Sequence, residues 1–124
     1  MILCDTNILI EFYKNNSTVV NELRQIGINQ LAISIITQAE LYYGALNKAE
    51  LTQIRKHLQL LKSIPIDPEI SDRFIQLMEN YSLSHKLAIP DALIAATALV
   101  HDMSLYTLNL KDFCFIEGIN LHQK

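Results

Sequence analysis

The chain opens on an apolar run that meets an acid with no turn between them, Met1-Ile2-Leu3-Cys4-Asp5-Thr6-Asn7. A run this short fits a strand covered on both faces, as in a parallel sheet. Ile8, Leu9 and Phe12 then fall at helical spacing, and Thr6 can cap the new helix. Asp5 therefore stands where a first strand ends and a first helix begins. In open α/β sheets ligands bind in the crevice beyond the strand ends. A carboxylate at such a point can cap a helix, and it can also hold a cation.

The same alternation continues along the chain. Ser17 is placed to cap a helix that Gly27 ends, and 31–34 reads as a second strand. Helices follow over 37–46 and 48–62, then a short strand at 64–66 whose Pro65 argues for the sheet edge. Asp67-Pro68 caps a helix buried through Ile70, Phe74, Leu77, Met78 and Tyr81, and 82–89 reads as a loop. Pro90 opens the most apolar helix, 91–101; a strand at 104–107 and an edge strand at 119–121 complete the set. Alternating strands and helices predict an α/β fold, with helices on both faces of a mainly parallel central sheet. At 124 residues a single domain, 1–124, is expected.

Half of the residues are hydrophobic, which suits a doubly covered sheet and leaves apolar surface for a partner. No apolar run is long enough to cross a membrane. No basic segment or small-residue cleavage site marks a signal peptide, and Cys4 and Cys114 read as free thiols of a reducing cytosol. A cytoplasmic location is the expectation. Without Cys-x-x-Cys or paired histidines, a zinc site is not expected. The formal net charge of −3 gives no basic signature of nucleic-acid binding, and it leaves an excess of carboxylates.

Three further acids fall in places like that of Asp5. Glu40 lies on the helix after the second strand, with Gly44 one turn on. Asp91 stands in the first turn of the Pro90 helix, and Asp112 follows the 104–107 strand. Each has an ordinary explanation alone: exposed helical acid, partner of a helix dipole, loop acid. Parallel connectivity would bring all four above one edge of the sheet. Two carboxylates about 4 Å apart repel by roughly 4 kcal/mol at an effective dielectric of 20. Such a cluster makes sense if divalent cations neutralise it, and hard oxygen donors point to Mg²⁺ or Mn²⁺. A site of this kind can orient a water, acidify it and stabilise an in-line displacement at phosphorus. Thr6, Asn7 and Asn109 are placed to hold waters or orient the carboxylates.

Asp5-Thr6-Asn7 after an apolar strand, Thr37-x-x-Glu40-Leu41-x-x-Gly44, Pro90-Asp91-Ala92-Leu93-Ile94-Ala95-Ala96-Thr97-Ala98 and Thr107-x-Asn109-x-x-Asp112-Phe113 together resemble the PIN-domain signature. Spacing and size are similar to the VapC toxins of bacterial type II toxin–antitoxin pairs, over essentially the whole chain. The resemblance implies a Rossmann-like three-layer α/β/α sandwich and a metal-dependent endoribonuclease. It implies Asp5, Glu40, Asp91 and Asp112 as the acidic site, with Thr6, Asn7, Thr37 and Asn109 as supporting polar groups. It also implies a homodimer and a cognate antitoxin that reaches into the site. In relatives the loop before the third acid often carries glycine or arginine; here it reads Ser84-His85-Lys86-Leu87-Ala88.

Single-stranded or looped RNA is the expected substrate, since it can be splayed into a cleft. Lys86, Lys14 and Lys111 are candidate phosphate contacts. Dimerisation is expected through the apolar helices between Thr37 and Lys62. An aspartyl phosphatase would need an acid at Asn7, and a response regulator an acidic pair after its first strand; neither layout is present. A DNA nuclease lacks a basic grip here. The alternative function is a non-catalytic PIN-like interaction module in RNA metabolism, which the presence of all four acids disfavours.

Overall fold

The structure, a computed structural model, describes residues 1–123. Lys124, the last residue of the expected domain, lies outside the described residues. Four strands, β1 (Ile2–Cys4), β2 (Leu31–Ser34), β3 (Lys62–Ile64) and β4 (Ser104–Tyr106), form one parallel sheet in the order β3-β2-β1-β4. Six α-helices connect them: α1 (Thr6–Tyr13), α2 (Ser17–Ile26), α3 (Ile35–Tyr43), α4 (Lys48–Leu58), α5 (Pro68–His85) and α6 (Ile89–Val100). The expected α/β/α sandwich with a parallel sheet is the observed architecture.

Neighbouring strand residues point into different cores, as period-two geometry requires. Leu3, Ala32, Ile64 and Leu105 pack against α5 and α6 through Ile70, Leu77, Ala92, Ile94 and Ala95. Cys4, Leu31, Ile33 and Tyr106 face the other way, toward Ile8, Leu9, Val19, Leu23, Leu41, Ile54 and Leu58. This double burial is why each strand is a continuous apolar run.

Several boundaries differ from the sequence reading, mostly because side chains one residue earlier make the caps. Asp5, not Thr6, caps α1, its carboxylate accepting from the Thr6 N–H. Asn16, not Ser17, caps α2 by accepting from Thr18 and Val19. Helix α3 begins at Ile35, because Ser34 accepts from the Ile36 N–H, and it stops at Tyr43. Gly44 is therefore the cap residue past the helix, not a mid-helix glycine. A Cβ there would meet the Glu40 and Leu41 carbonyls at ordinary distances of 3.5 and 3.9 Å, so no steric demand explains the glycine. β3 lies two residues earlier than expected and leaves Pro65 outside the ladder, but it is the edge strand. α5 runs on to His85 through the stretch read as loop. The expected strand at 119–121 is reduced to one bridge, Leu105 to Leu121, flanking β4.

The connection from β3 to β4 passes over β2 and β1, so chain order reverses between β1 and β4. A crevice opens beyond the carboxyl ends of strands at such a switch point. Gly27 turns the chain from α2 toward β2 at φ 87° and ψ 140°, and an added Cβ would meet nothing within 4 Å. Gly27→Ala therefore isolates backbone strain, and it should lower stability by about 1–3 kcal/mol. Urea unfolding checks this; a loss under about 0.5 kcal/mol would show that the chain relaxes to another turn.

Candidate active site

Asp5 is the fixed point of the crevice. It is 5% exposed, and its backbone N–H donates to the Tyr106 carbonyl at 2.9 Å, tying the end of β1 to β4. One carboxylate oxygen accepts from the Thr6 N–H at 2.8 Å, and the other from the Thr107 hydroxyl at 2.8 Å. Thr107 in turn accepts from the Asn109 N–H at 3.0 Å. Each Asp5 oxygen has one partner and keeps lone-pair capacity for another. Burial pushes the Asp5 pKa up, the bonds from Thr107 and Thr6 pull it down, and the charges of Glu40 and Asp112 raise it again.

Glu40 approaches from α3. Its carboxylate lies 2.7 Å from the Thr6 hydroxyl, which is 3.1 Å from the Thr37 hydroxyl. A hydroxyl has one proton, and the charged acceptor at the shorter distance takes it. Thr37 then donates to Thr6. This places fully buried Thr37 behind Thr6, and Thr6 behind Glu40. Glu40 itself is exposed on the rim.

Asp91 sits in the first turn of α6. Alanines 92, 95, 96 and 98 are buried and let α6 lie close on the sheet, which brings that turn to the crevice. Burial, then the charges of Asp5, Asp112 and Glu40, push the Asp91 pKa up to about 6. Asp112 ends the short helical turn Leu110–Asp112 and is anchored by its neighbour Phe113, which is 0% exposed. All four carboxylates thus stand within range of one another's charge. They face the crevice between β1 and β4, one strand in from where connectivity alone had put them.

The supporting residues divide. Thr6 and Thr37 orient Glu40, and Asn7 accepts from the Leu108 N–H at 3.3 Å, fastening α1 to the segment after β4. Asn109 contributes its backbone N–H to the network. Of the lysines, Lys86 and Lys111 are exposed on the segments bearing Asp91 and Asp112. Lys14 instead pairs with Glu11 at 3.6 Å and lines a groove. Thr107 was not singled out from the sequence, although it opens the Thr107-x-Asn109-x-x-Asp112 motif; its role appears only when β4 is laid beside β1.

Among the described residues no three His, Cys, Asp or Glu side chains close into a ready-made coordination shell. The acids line a cleft instead of caging an ion. That still fits a cation that keeps several waters and takes one or two carboxylates directly.

A parallel sheet with an acidic crevice at its switch point defines a class of α/β proteins that bind charged ligands beyond the strand ends. Within that class the chain belongs to the PIN domain family, whose model matches residues 2–114. Ribonuclease VapC10 of Mycobacterium tuberculosis is 35% identical over 123 residues, covering 96% of this chain and 90% of that protein. A toxin–antitoxin complex from Klebsiella pneumoniae matches with a TM-score of 0.82 and 36% identity, over 96% of this chain and 95% of that one. A DNA-bound VapBC from Salmonella typhimurium matches with a TM-score of 0.87 and 25% identity, over 98% and 96% of the two chains.

The raised carboxylate pKa values fix the sign of a pH effect. Asp91 binds its proton more tightly folded, near pH 6, than at its ordinary 3.8. Metal-free stability contributed by this group therefore falls as pH rises from about 4 to about 6, and the loss is complete above that. Asp91→Asn should remove this slope. In chelator at pH 7 it should raise stability by about 1 kcal/mol, or some 4 °C in Tm. Thermal melts at pH 5 and pH 7 check it; a variant that melts lower than the parent at pH 7 would show that Asp91 stabilises the metal-free fold.

Proposed function

We propose that this protein is a metal-dependent endoribonuclease and the toxin of a toxin–antitoxin pair. The observation that carries the reading is the convergence of Asp5, Glu40, Asp91 and Asp112 in one crevice, where burial and then the neighbouring carboxylates push the Asp91 pKa up to about 6. The relatives named above are a ribonuclease and members of toxin–antitoxin complexes, which supports the activity and the partner.

Asp5, Asp91, Glu40 and Asp112 are the residues to hold Mg²⁺ or Mn²⁺. Such an ion, when bound, neutralises the cluster, acidifies a water and polarises the phosphodiester. The chain's own groups do the positioning. Thr107 and the Thr6 N–H hold Asp5 in one rotamer. Thr6 holds Glu40, and α6 presents Asp91 along its dipole. Lys86 and Lys111 are placed to meet phosphates flanking the cut.

A groove of about 640 Å³ between α1, α3 and α4 supports the antitoxin reading. It is lined by Ile10, Tyr13, Leu41, Leu46 and Ile54 and reaches Glu40. An amphipathic helix laid there would bury its apolar face and set a basic side chain against Glu40. Tyr43 and Leu46, at 94% and 85% exposed, are the barest of the apolar residues in this region. They keep α3 and α4 as the proposed dimer surface, which sedimentation at micromolar concentration tests.

Purified antitoxin-free protein incubated with total RNA and Mn²⁺ or Mg²⁺ should give discrete cuts that vanish in EDTA and in Asp5→Asn. Cuts that survive Asp5→Asn would remove the acidic site from the chemistry. Thr107→Val, which deletes one bond to Asp5, should lower cleavage or metal affinity by about 10- to 100-fold with the fold intact. Titration calorimetry with Mn²⁺ reads the affinity directly; unchanged binding and cleavage would make the Thr107 contact incidental.

A further inference from the structure

On the segments that flank Asp91 and Asp112, two aromatic rings lie face to face at the surface. His85 stacks on Phe115 with centroids 4.1 Å apart and planes 9° from parallel. Tyr81, one turn earlier on α5, meets both edge-on, at 5.7 Å from His85 and 5.2 Å from Phe115. The Tyr81 hydroxyl accepts from the Glu117 N–H at 3.1 Å. Ser84 Oγ lies 2.7 Å from His85 Nδ1 and fixes the imidazole's rotation. Phe113 and Ile116, both buried, clamp the segment on either side of Phe115. The stack is therefore rigid before any ligand arrives, yet His85 stays exposed.

Its place in the fold gives it a task. His85 ends α5, and Lys86 turns the chain at φ 53° into the short link to α6 and Asp91. Phe115 lies three residues after Asp112. The stack thus joins the two segments that deliver two of the four acids to the crevice. The chain's charge bears on the same point. With a formal net charge of −3 and a crevice of carboxylates, phosphate attraction alone gives RNA little hold. Stacking on an aromatic face is independent of net charge and accepts any base.

We propose that the His85–Phe115 stack seats an unpaired nucleobase next to the cleaved phosphodiester, the base lying on the imidazole face turned away from Phe115. Lys86 stands beside the seat to meet that nucleotide's phosphate. The inference rests on the ribonuclease reading, and it makes His85 a substrate-positioning residue with no part in the chemistry.

The test uses the full chain carrying Asp5→Asn, so that RNA is bound and not cut. The probe is a short single-stranded oligoribonucleotide containing a fluorescent adenine analogue whose emission is quenched by stacking. His85→Ala should weaken binding by roughly 5- to 100-fold and abolish the quench, while His85→Phe should keep both. In the cleaving protein, His85→Ala should raise KM and leave kcat unchanged. His85 is exposed, so melting should confirm that the variants stay folded. Unchanged affinity in His85→Ala overturns the proposal. A loss in His85→Phe equal to that in His85→Ala overturns it too, by assigning His85 a polar role. If the parent protein cleaves RNA in either case, the ribonuclease reading stands without the seat. A parent that neither binds the probe nor cleaves RNA removes both.

Discussion

Four carboxylates that repel one another are held in one crevice, and the local structure around them is arranged to keep them there. Asp5 is the least free: both of its oxygens are bonded, its backbone joins β1 to β4, and its side chain also starts α1. Burial and mutual repulsion of such a set work against the fold, which is the usual sign that residues are kept for a ligand and not for stability. The burial that raises the Asp5 and Asp91 pKa values also strengthens their interaction with neighbouring charges, because the crevice screens charge less than water does.

The means of holding differ from acid to acid. Asp91 depends on packing: four alanines on α6 allow close approach to the sheet, and a larger side chain at any of them would push the helix off. Asp112 depends on an anchor, since the segment after β4 has little regular structure and is pinned by Phe113 and Ile116. Glu40 depends on a relay of two hydroxyls, Thr37 to Thr6 to carboxylate. It is also the only one of the four standing exposed at the rim. The crevice therefore runs from a buried floor at Asp5 to an exposed lip at Glu40.

Much of this was legible in the chain. The strands announced themselves because burial on both faces demands continuous apolar runs, and the acids because each follows a strand or opens a helix. What escaped reading was set by tertiary contact. Asp5 and Asn16 take caps that looked available to Thr6 and Ser17, since in each case a residue with extended backbone one step earlier accepts from the first N–H groups of the helix. β3 slid off Pro65 because proline cannot donate to the ladder. Thr107 was invisible as a site residue because its partner is 102 positions away. The loop expected before Asp91 proved to be helix as far as His85, and that last turn is what brings the imidazole over Phe115.

The two layers flanking the sheet are packed to different ends. On one face α6 packs through small, fully buried alanines, backed by the larger Ile70 and Leu77 of α5, and this side sets the position of Asp91 within tight limits. The helices of the other face leave space. The 640 Å³ groove lies between α1, α3 and α4, and a second cavity of about 190 Å³ lies among α1, α2 and α4 beside Phe12 and His57. Tyr13, which lines the first, is hydrogen-bonded at 2.9 Å to His57, which lines the second. A partner occupying this layer would meet Glu40 at the lip, while Asp91 stayed fixed by α6 and Asp5 by its bonds to Thr107 and to the Tyr106 carbonyl. A site built this way can be blocked by a protein without being deformed by it, which leaves the acidic crevice intact when the partner departs.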